Sequence, residues 1–242
     1  MKKSITEKSP QFTARIAGLL YTLMMPLGIF GIMYVSSTMV VAGDAIKTAN
    51  NILANAGVFR LSIVAALILQ IAHIFIVLIL YELLKPVNKK LSLFMVIFMI
   101  VSIPITMLNE LNRFAALLLL SGADYLSVFT TGQLQAVVPL FFELHEYGIV
   151  IAGIFWGLWL FPMGYLVFKS DFLPRFIGVL LMIACFGYLI DSFGRLLLPN
   201  YGATIVATII GFTLFGELLM PLWLLIKGVN VEKWKKRAFE SA

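Results

Sequence analysis

The chain has 242 residues, of which 61% are hydrophobic and only 12% charged, with 20 Phe, a mean hydropathy of +1.00 and a formal net charge of +6. Soluble domains carry roughly a quarter charged residues, so an ordinary soluble domain is excluded, and no polar stretch is long enough to be a linker or a second soluble module. The basic residues are scattered over tails and short turns, which argues against nucleic acid as a partner, and a single cysteine, Cys185, allows no intrachain disulfide and leaves the redox compartment unreadable.

The opening "MKKSITEKSPQFTAR" has the basic character of a secretory leader. The apolar run that follows, Ile16 to Val41, is far longer than the roughly 7–15 residues of a signal core, so it reads as a first membrane span. A spanning helix needs about 20 mainly apolar residues to cross about 30 Å of hydrocarbon. Six stretches meet that length: 16–41, 60–84, 91–120, 138–168, 174–198 and 203–227. Helices are required because lipid cannot satisfy backbone N–H and C=O groups, and the runs lack the period-2 alternation of a barrel. Pro26, Pro104, Pro162 and Pro221 lie inside these runs, where a bundle accommodates kinks.

Two connections carry helix signals. In "GDAIKTANNILANAG", Asp44 is an N-cap, Ile46, Ala49 and Leu53 form one stripe, and Gly57 is a stop. "SGADYLSVFTTGQLQAVV" predicts one short helix, then Thr130 or Thr131 capping the approach to the fourth run. The expected fold is therefore an all-α membrane protein, a bundle of six transmembrane helices with two short outer-surface helices. The spans occupy 16–227, between a cytoplasmic tail at 1–15 and a basic cytoplasmic tail at 228–242.

Orientation follows from Lys and Arg. Lys2, Lys3, Lys8 and Arg15 precede the first run, Lys85, Lys89 and Lys90 follow the second, and Lys169 and Arg175 follow the fourth. Lys227, Lys233, Lys235, Lys236 and Arg237 end the chain, which puts fourteen of the 18 basic residues on one side. The opposite connections hold only Lys47 and Arg60. The positive-inside rule then makes both termini cytoplasmic. Trp234 within the terminal basic cluster suits anchoring at anionic headgroups.

Charges inside the runs gather at one level. Counted from the cytoplasmic ends, Glu110 and Arg113 fall at about 28–33 Å, Asp191 and Arg195 at about 26–32 Å, and Glu143, His145 and Glu146 at about 33–38 Å. Glu110 and Arg113 are three residues apart and Asp191 and Arg195 four apart, so each pair shares a helix face. Turned inward, these groups avoid a lipid-facing cost of about 3 kcal/mol per charge. Three readings follow: ion pairs that merely orient the bundle, a ligand or ion site, or a catalytic centre. His73 and Glu217 lie near the midplane, where an ionisable residue calls for a partner. A hydrogen bond between the two is expected, with a neutral Glu217 as the competing arrangement.

Several motifs fail. "HEYGI" begins like a zinc-protease helix, but residue 149 is Ile, so the second histidine is missing. Two histidines in the whole chain exclude a structural Cys/His zinc site, whereas a hard cation on Glu110, Glu143, Glu146 or Asp191 stays allowed. His73 and His145 differ in depth and do not suit a bis-histidine haem. No phosphate-binding loop, dinucleotide fingerprint or nucleophile elbow occurs, and no cofactor is expected. "GIFG" and "GIFWG" supply small residues for close helix contact.

"ARIAGLLYTL", "LLLLSGADYL", "LHEYGIVIAGIFWGLWLFPMGYLVFKS", "LPRFIGVLLMIACFGYLIDSF", "LLPNY" and "LLIKGVN" together resemble the bacterial integral-membrane family called domain of unknown function 4386. The resemblance runs from about Ala14 to Asn230 and implies a multi-pass prokaryotic membrane protein. It brings no assigned catalytic residues; His145, Arg175 and Asp191 fall within its recurring motifs without acquiring roles. The leading functional expectation is a transporter-like or sensor-like protein that binds a small molecule or cation from the outer side. Its ligand-binding residues would be Glu110, Arg113, Glu143, His145, Glu146, Asp191 and Arg195. The alternatives are an intramembrane metal-dependent hydrolase and a non-catalytic accessory protein that packs a partner helix.

Overall fold

Long apolar stretches fold as helices because hydrogen bonding within the segment is the only way to satisfy their backbone. In the computed structural model, which describes residues 9–198 and 203–241 and their side chains except at 203–210 and 212–214, all the regular elements are helical. Lys2, Lys3 and Lys8, and the end of "LLPNY", lie outside the described residues. Helix α1 (Pro10–Gly28) passes through a π-helical turn (Ile29–Met33) into α2 (Tyr34–Thr38). Then come α3 (Ala45–Ala54), α4 (Ala56–Leu84), α5 (Lys89–Leu119), a 3₁₀ turn (Asp124–Leu126) and α6 (Thr131–Lys169). The chain ends with α7 (Arg175–Leu197), α8 (Ala203–Ile226) and α9 (Val231–Glu240). Among the described residues five helices are long and apolar enough to cross a membrane: Pro10–Thr38, α4, α5, α6 and α7. The sixth expected span falls on α8, part of whose side chains lie outside the description.

Helix starts are decided by caps more than by the onset of hydrophobicity. The Thr130 hydroxyl accepts from Gln133 N at 3.2 Å while the Gln133 side chain accepts from Thr130 N at 2.8 Å. This reciprocal capping box starts α6 seven residues ahead of the apolar run that begins at Val138. Asp44 caps α3 through Lys47 N at 2.8 Å, and Asn88 and Asn230 cap α5 and α9 in the same way. Helix α3 turns one face into the protein and the other outward. Thr48, Ala49 and Ile52 are buried, whereas Ile46 and Leu53 are exposed. Polar anchoring sets that face: the Thr48 hydroxyl bonds both N and O of Val41, and Asn51 donates to Met39 O at 3.1 Å. The helix stops at Asn55 rather than Gly57, which already belongs to α4.

The chain divides into two compact units. The first comprises Met1–Leu23, Ile74–Val101 and Gly153–Ala242. Here α8 packs against α7, and Trp159, Leu160, Met163 and Leu166 are buried along α6. Its polar contacts draw four chain segments to one end. Gln11 donates to Lys227 O at 3.0 Å and accepts from Val229 N at 2.9 Å. Asn230 N donates to Phe172 O at 3.1 Å, and the Trp234 indole donates to Leu83 O at 2.8 Å. The polar edge of Trp234 is thus engaged by protein, not only by its surroundings. The second unit comprises Met24–His73 and Ser102–Ala152. Its core gathers Val35, Ile52, Ile63, Leu117 and Val138 around an edge-to-face Phe59–Phe142 pair with ring centroids 6.1 Å apart. Between helices in lipid there is little water-driven attraction, so such packing and interhelical hydrogen bonds hold the bundle.

The α6–α7 turn shows how one charge is used. Asp171 sits at φ 59, a left-handed conformation that Asp tolerates. Its carboxylate accepts from Arg175 at 2.8 Å. Arg175, with Arg237 and Lys233 nearby, holds the Asp171 carboxyl below its ordinary 3.8. A lowered carboxyl pKa stabilises the fold above the ordinary carboxylate range, and the contribution disappears as pH falls through the native titration. Both side chains are more than half exposed, so Asp171→Asn should cost only about 0–1 kcal/mol at neutral pH. The melting-temperature gap between this variant and the parent should close on acidification, measured in detergent by intrinsic fluorescence.

Candidate functional site

In the second unit α5 presents Asn109, Glu110 and Arg113 on one face, since residues three and four apart on a helix are neighbours. Arg113 Nη1 donates to Glu110 Oε2 at 3.1 Å, and the other carboxylate oxygen, Oε1, lies 3.2 Å from His145 Nε2 on α6. All three side chains are buried, with 4%, 2% and 3% exposure for Glu110, Arg113 and His145. A lone buried charge would cost several kcal/mol; paired, the group is sustainable.

The remaining donors of Arg113 reach two further elements. Nη1 also donates to Gly31 O at 2.7 Å, and Nη2 donates to the Ser62 hydroxyl of α4. Ser62 in turn donates to Phe59 O at 2.6 Å, and the Phe59 ring lies 5.1 Å from the guanidinium carbon. Gly31 belongs to the π-helical turn. A turn of that kind widens the hydrogen-bond ladder to i→i+5 and disrupts the regular pairing of carbonyls; here the Gly31 carbonyl takes a guanidinium hydrogen. Gly31 is also a close-approach position, because a Cβ there would lie 2.7 Å from Ala66 N. Asn109 extends the network by donating to His145 O at 2.8 Å and accepting from Asn112 at 2.9 Å. The glycine of "HEYG", Gly148, leaves room for that amide, which any Cβ would strike.

Glu110, Arg113 and His145 therefore come together. Glu143 and Glu146 are exposed, and Glu146 accepts from Ser36 at 3.3 Å. Asp191 and Arg195 pair with each other at 3.1 Å, half-buried, in the first unit. His73 belongs to the second unit and Glu217 to the first. The His73 Nδ1 and Glu217 Oε1 atoms are buried with no hydrogen-bond partner among the described residues, and Glu217 is hydrogen-bonded to Tyr188. Among the described residues no three His, Cys, Asp or Glu side chains are grouped as a metal would require. Ser36, Ser62 and Tyr188 were not singled out from sequence, and Gly31 only as a small residue of "GIFG" suited to close helix contact. The serines lie in apolar runs with no local signal, and Tyr188 looks like any buried aromatic.

Span-length apolar helices that bury an Arg–Glu–His network define an all-helical protein of the integral-membrane type. The chain belongs to the family described as domain of unknown function (DUF4386), whose model matches residues 16–228. It is similar to an uncharacterized protein of Archaeoglobus fulgidus, at 33% identity over 172 residues that cover 69% of this chain and 83% of the relative. No solved structure matches it.

Arg113→Met should leave Glu110 buried without its guanidinium and destabilise by about 3–5 kcal/mol. Adding Glu110→Gln to Arg113→Met should restore much of the loss in thermal melts of the purified protein. Equal destabilisation in the single and double variants would show that the two charges are not coupled.

Proposed function

We propose that the chain is a six-span protein of the bacterial cytoplasmic membrane, with both termini cytoplasmic, that binds a small cation or amine at an outer polar site in a transporter-like or sensor-like role. Parity supports the span count. Gln11 near the start and Lys227 near the end share hydrogen bonds, and a chain whose two ends meet on one side crosses an even number of times. Five helices already qualify as spans, which makes α8 the sixth. Lys233 and Arg237 lie near the Asp171 turn, Trp234 between them reaches the end of α4 and Lys227 meets Gln11, so basic segments that the positive-inside rule assigns to the cytoplasm sit together. On this reading α3 and the 3₁₀ turn at Asp124–Leu126 lie at the outer surface.

The observation that carries a binding role is the π-helical opening of a spanning helix opposite Arg113. Such irregularities in membrane helices are concentrated at functional sites, and ionisable residues held within spans mark ligand and ion pathways. Arg113 and Glu110 orient His145, and the exposed carboxylates Glu143 and Glu146 on the same helix draw in a positive ligand. One further observation favours an accessory protein that docks a partner helix: both Glu110 oxygens are already taken by protein groups, as a purely orienting lock requires.

A panel of small amines and inorganic cations, tested by thermal shift and calorimetry on protein in lipid nanodiscs, separates these readings. The binding reading expects a ligand whose affinity falls more than about tenfold in His145→Ala plus Glu146→Gln, the loss of a charged hydrogen bond. Unchanged affinity in a folded double variant discards the assignment, and a co-purifying membrane chain with no ligand response supports the docking role.

A further inference from the structure

We propose a second, separate site in the first unit: a monovalent alkali-cation site formed by Glu217 with the phenol oxygens of Tyr188 and Tyr21. It does not rest on the outer site. Glu217 is the one charged residue of α8. Its Oε1 is sealed from solvent with no hydrogen-bond partner among the described residues. Tyr188 of α7 hydrogen-bonds the carboxylate, and Tyr21 of α1 lies within electrostatic reach of both. Tyr21 is 7% exposed, and its hydroxyl is a second orphan.

A buried carboxylate oxygen and a buried hydroxyl within electrostatic reach of each other, neither with a hydrogen-bond partner among the described residues, leave two unmet hydrogen-bonding groups, each costing about 1–3 kcal/mol. A cation held between them satisfies the carboxylate oxygen and takes the phenol lone pair at once. Carboxylate and phenol oxygens are hard ligands that suit alkali ions rather than soft metals. One carboxylate balances one positive charge, and an excess charge is heavily penalised in a low-dielectric interior, which selects a monovalent ion. Trp159 packs on Tyr21 at 6.2 Å between ring centroids and is 2% exposed, so the floor of the site is fixed. Asp191 is three residues beyond Tyr188 on α7, within its electrostatic reach and half-buried.

The test uses full-length protein in nanodiscs equilibrated in choline chloride and titrated with LiCl, NaCl or KCl at constant ionic strength. One alkali ion should raise the melting temperature saturably, as expected for a ligand of the native state. Infrared difference spectra should show the same ion shifting the carboxylate bands of one glutamate. Glu217→Gln should abolish both signals, and Tyr21→Phe or Tyr188→Phe should weaken the apparent affinity about tenfold. His145→Ala plus Glu146→Gln should retain both, which keeps this site distinguishable from the outer one. No difference between alkali ions and choline, or an undiminished response in Glu217→Gln, overturns the proposal. Should Glu217→Gln fail to fold, an undiminished response in both tyrosine variants overturns it instead.

Discussion

Hydrocarbon gives a peptide group or a guanidinium nothing to bond, so a polar group inside a membrane protein is costly unless it finds a partner within the chain. Arg113 shows how far that requirement reaches. Its hydrogen bonds are taken by the Gly31 carbonyl, the Glu110 carboxylate and the Ser62 hydroxyl, and its face is covered by Phe59. One side chain thereby ties the π-helical turn, α4 and α5 together, and through Glu110 it reaches His145 on α6. The irregular turn and the regular helices around it are solutions to one problem of solvation.

Both units hold buried polar atoms without a partner among the described residues, Gln70 and His73 in the second and Tyr21, Ser92, Trp156 and Glu217 in the first, and they differ in what surrounds their charged groups. In the second, Asn109, Glu110, Arg113 and His145 bond one another or nearby carbonyls. In the first, Glu217 has Tyr188 on one oxygen and nothing on the other, while the Tyr21 hydroxyl and the Trp156 indole are also unmatched among the described residues. A saturated network rigidifies; an unsaturated one invites an additional occupant.

Much of this was legible in the residues. Apolar length gave the helical class with span-length helices, because hydropathy is a sum over some twenty positions and tolerates local exceptions. The three-residue spacing put Glu110 and Arg113 on one face, and depth counting brought His145 to their level. Finer features depended on single atoms. Nothing in "IFGIM" distinguishes a π-helical turn from an ordinary one, and Ser62 in an apolar run carries no mark of its contact with Arg113. For Glu217, depth identified an ionisable group in need of a partner, but its hydrogen bond goes to Tyr188, a residue type that sequence patterns treat as core.

The clasp between Gln11 and the Lys227–Val229 turn has a temporal side. Its partners are separated by 216 and 218 residues, and translation proceeds at about 5–20 residues per second. The glutamine amide therefore waits roughly ten to forty seconds for the carbonyl and N–H it will join. That fastening therefore closes only after α1 to α8 have all been made.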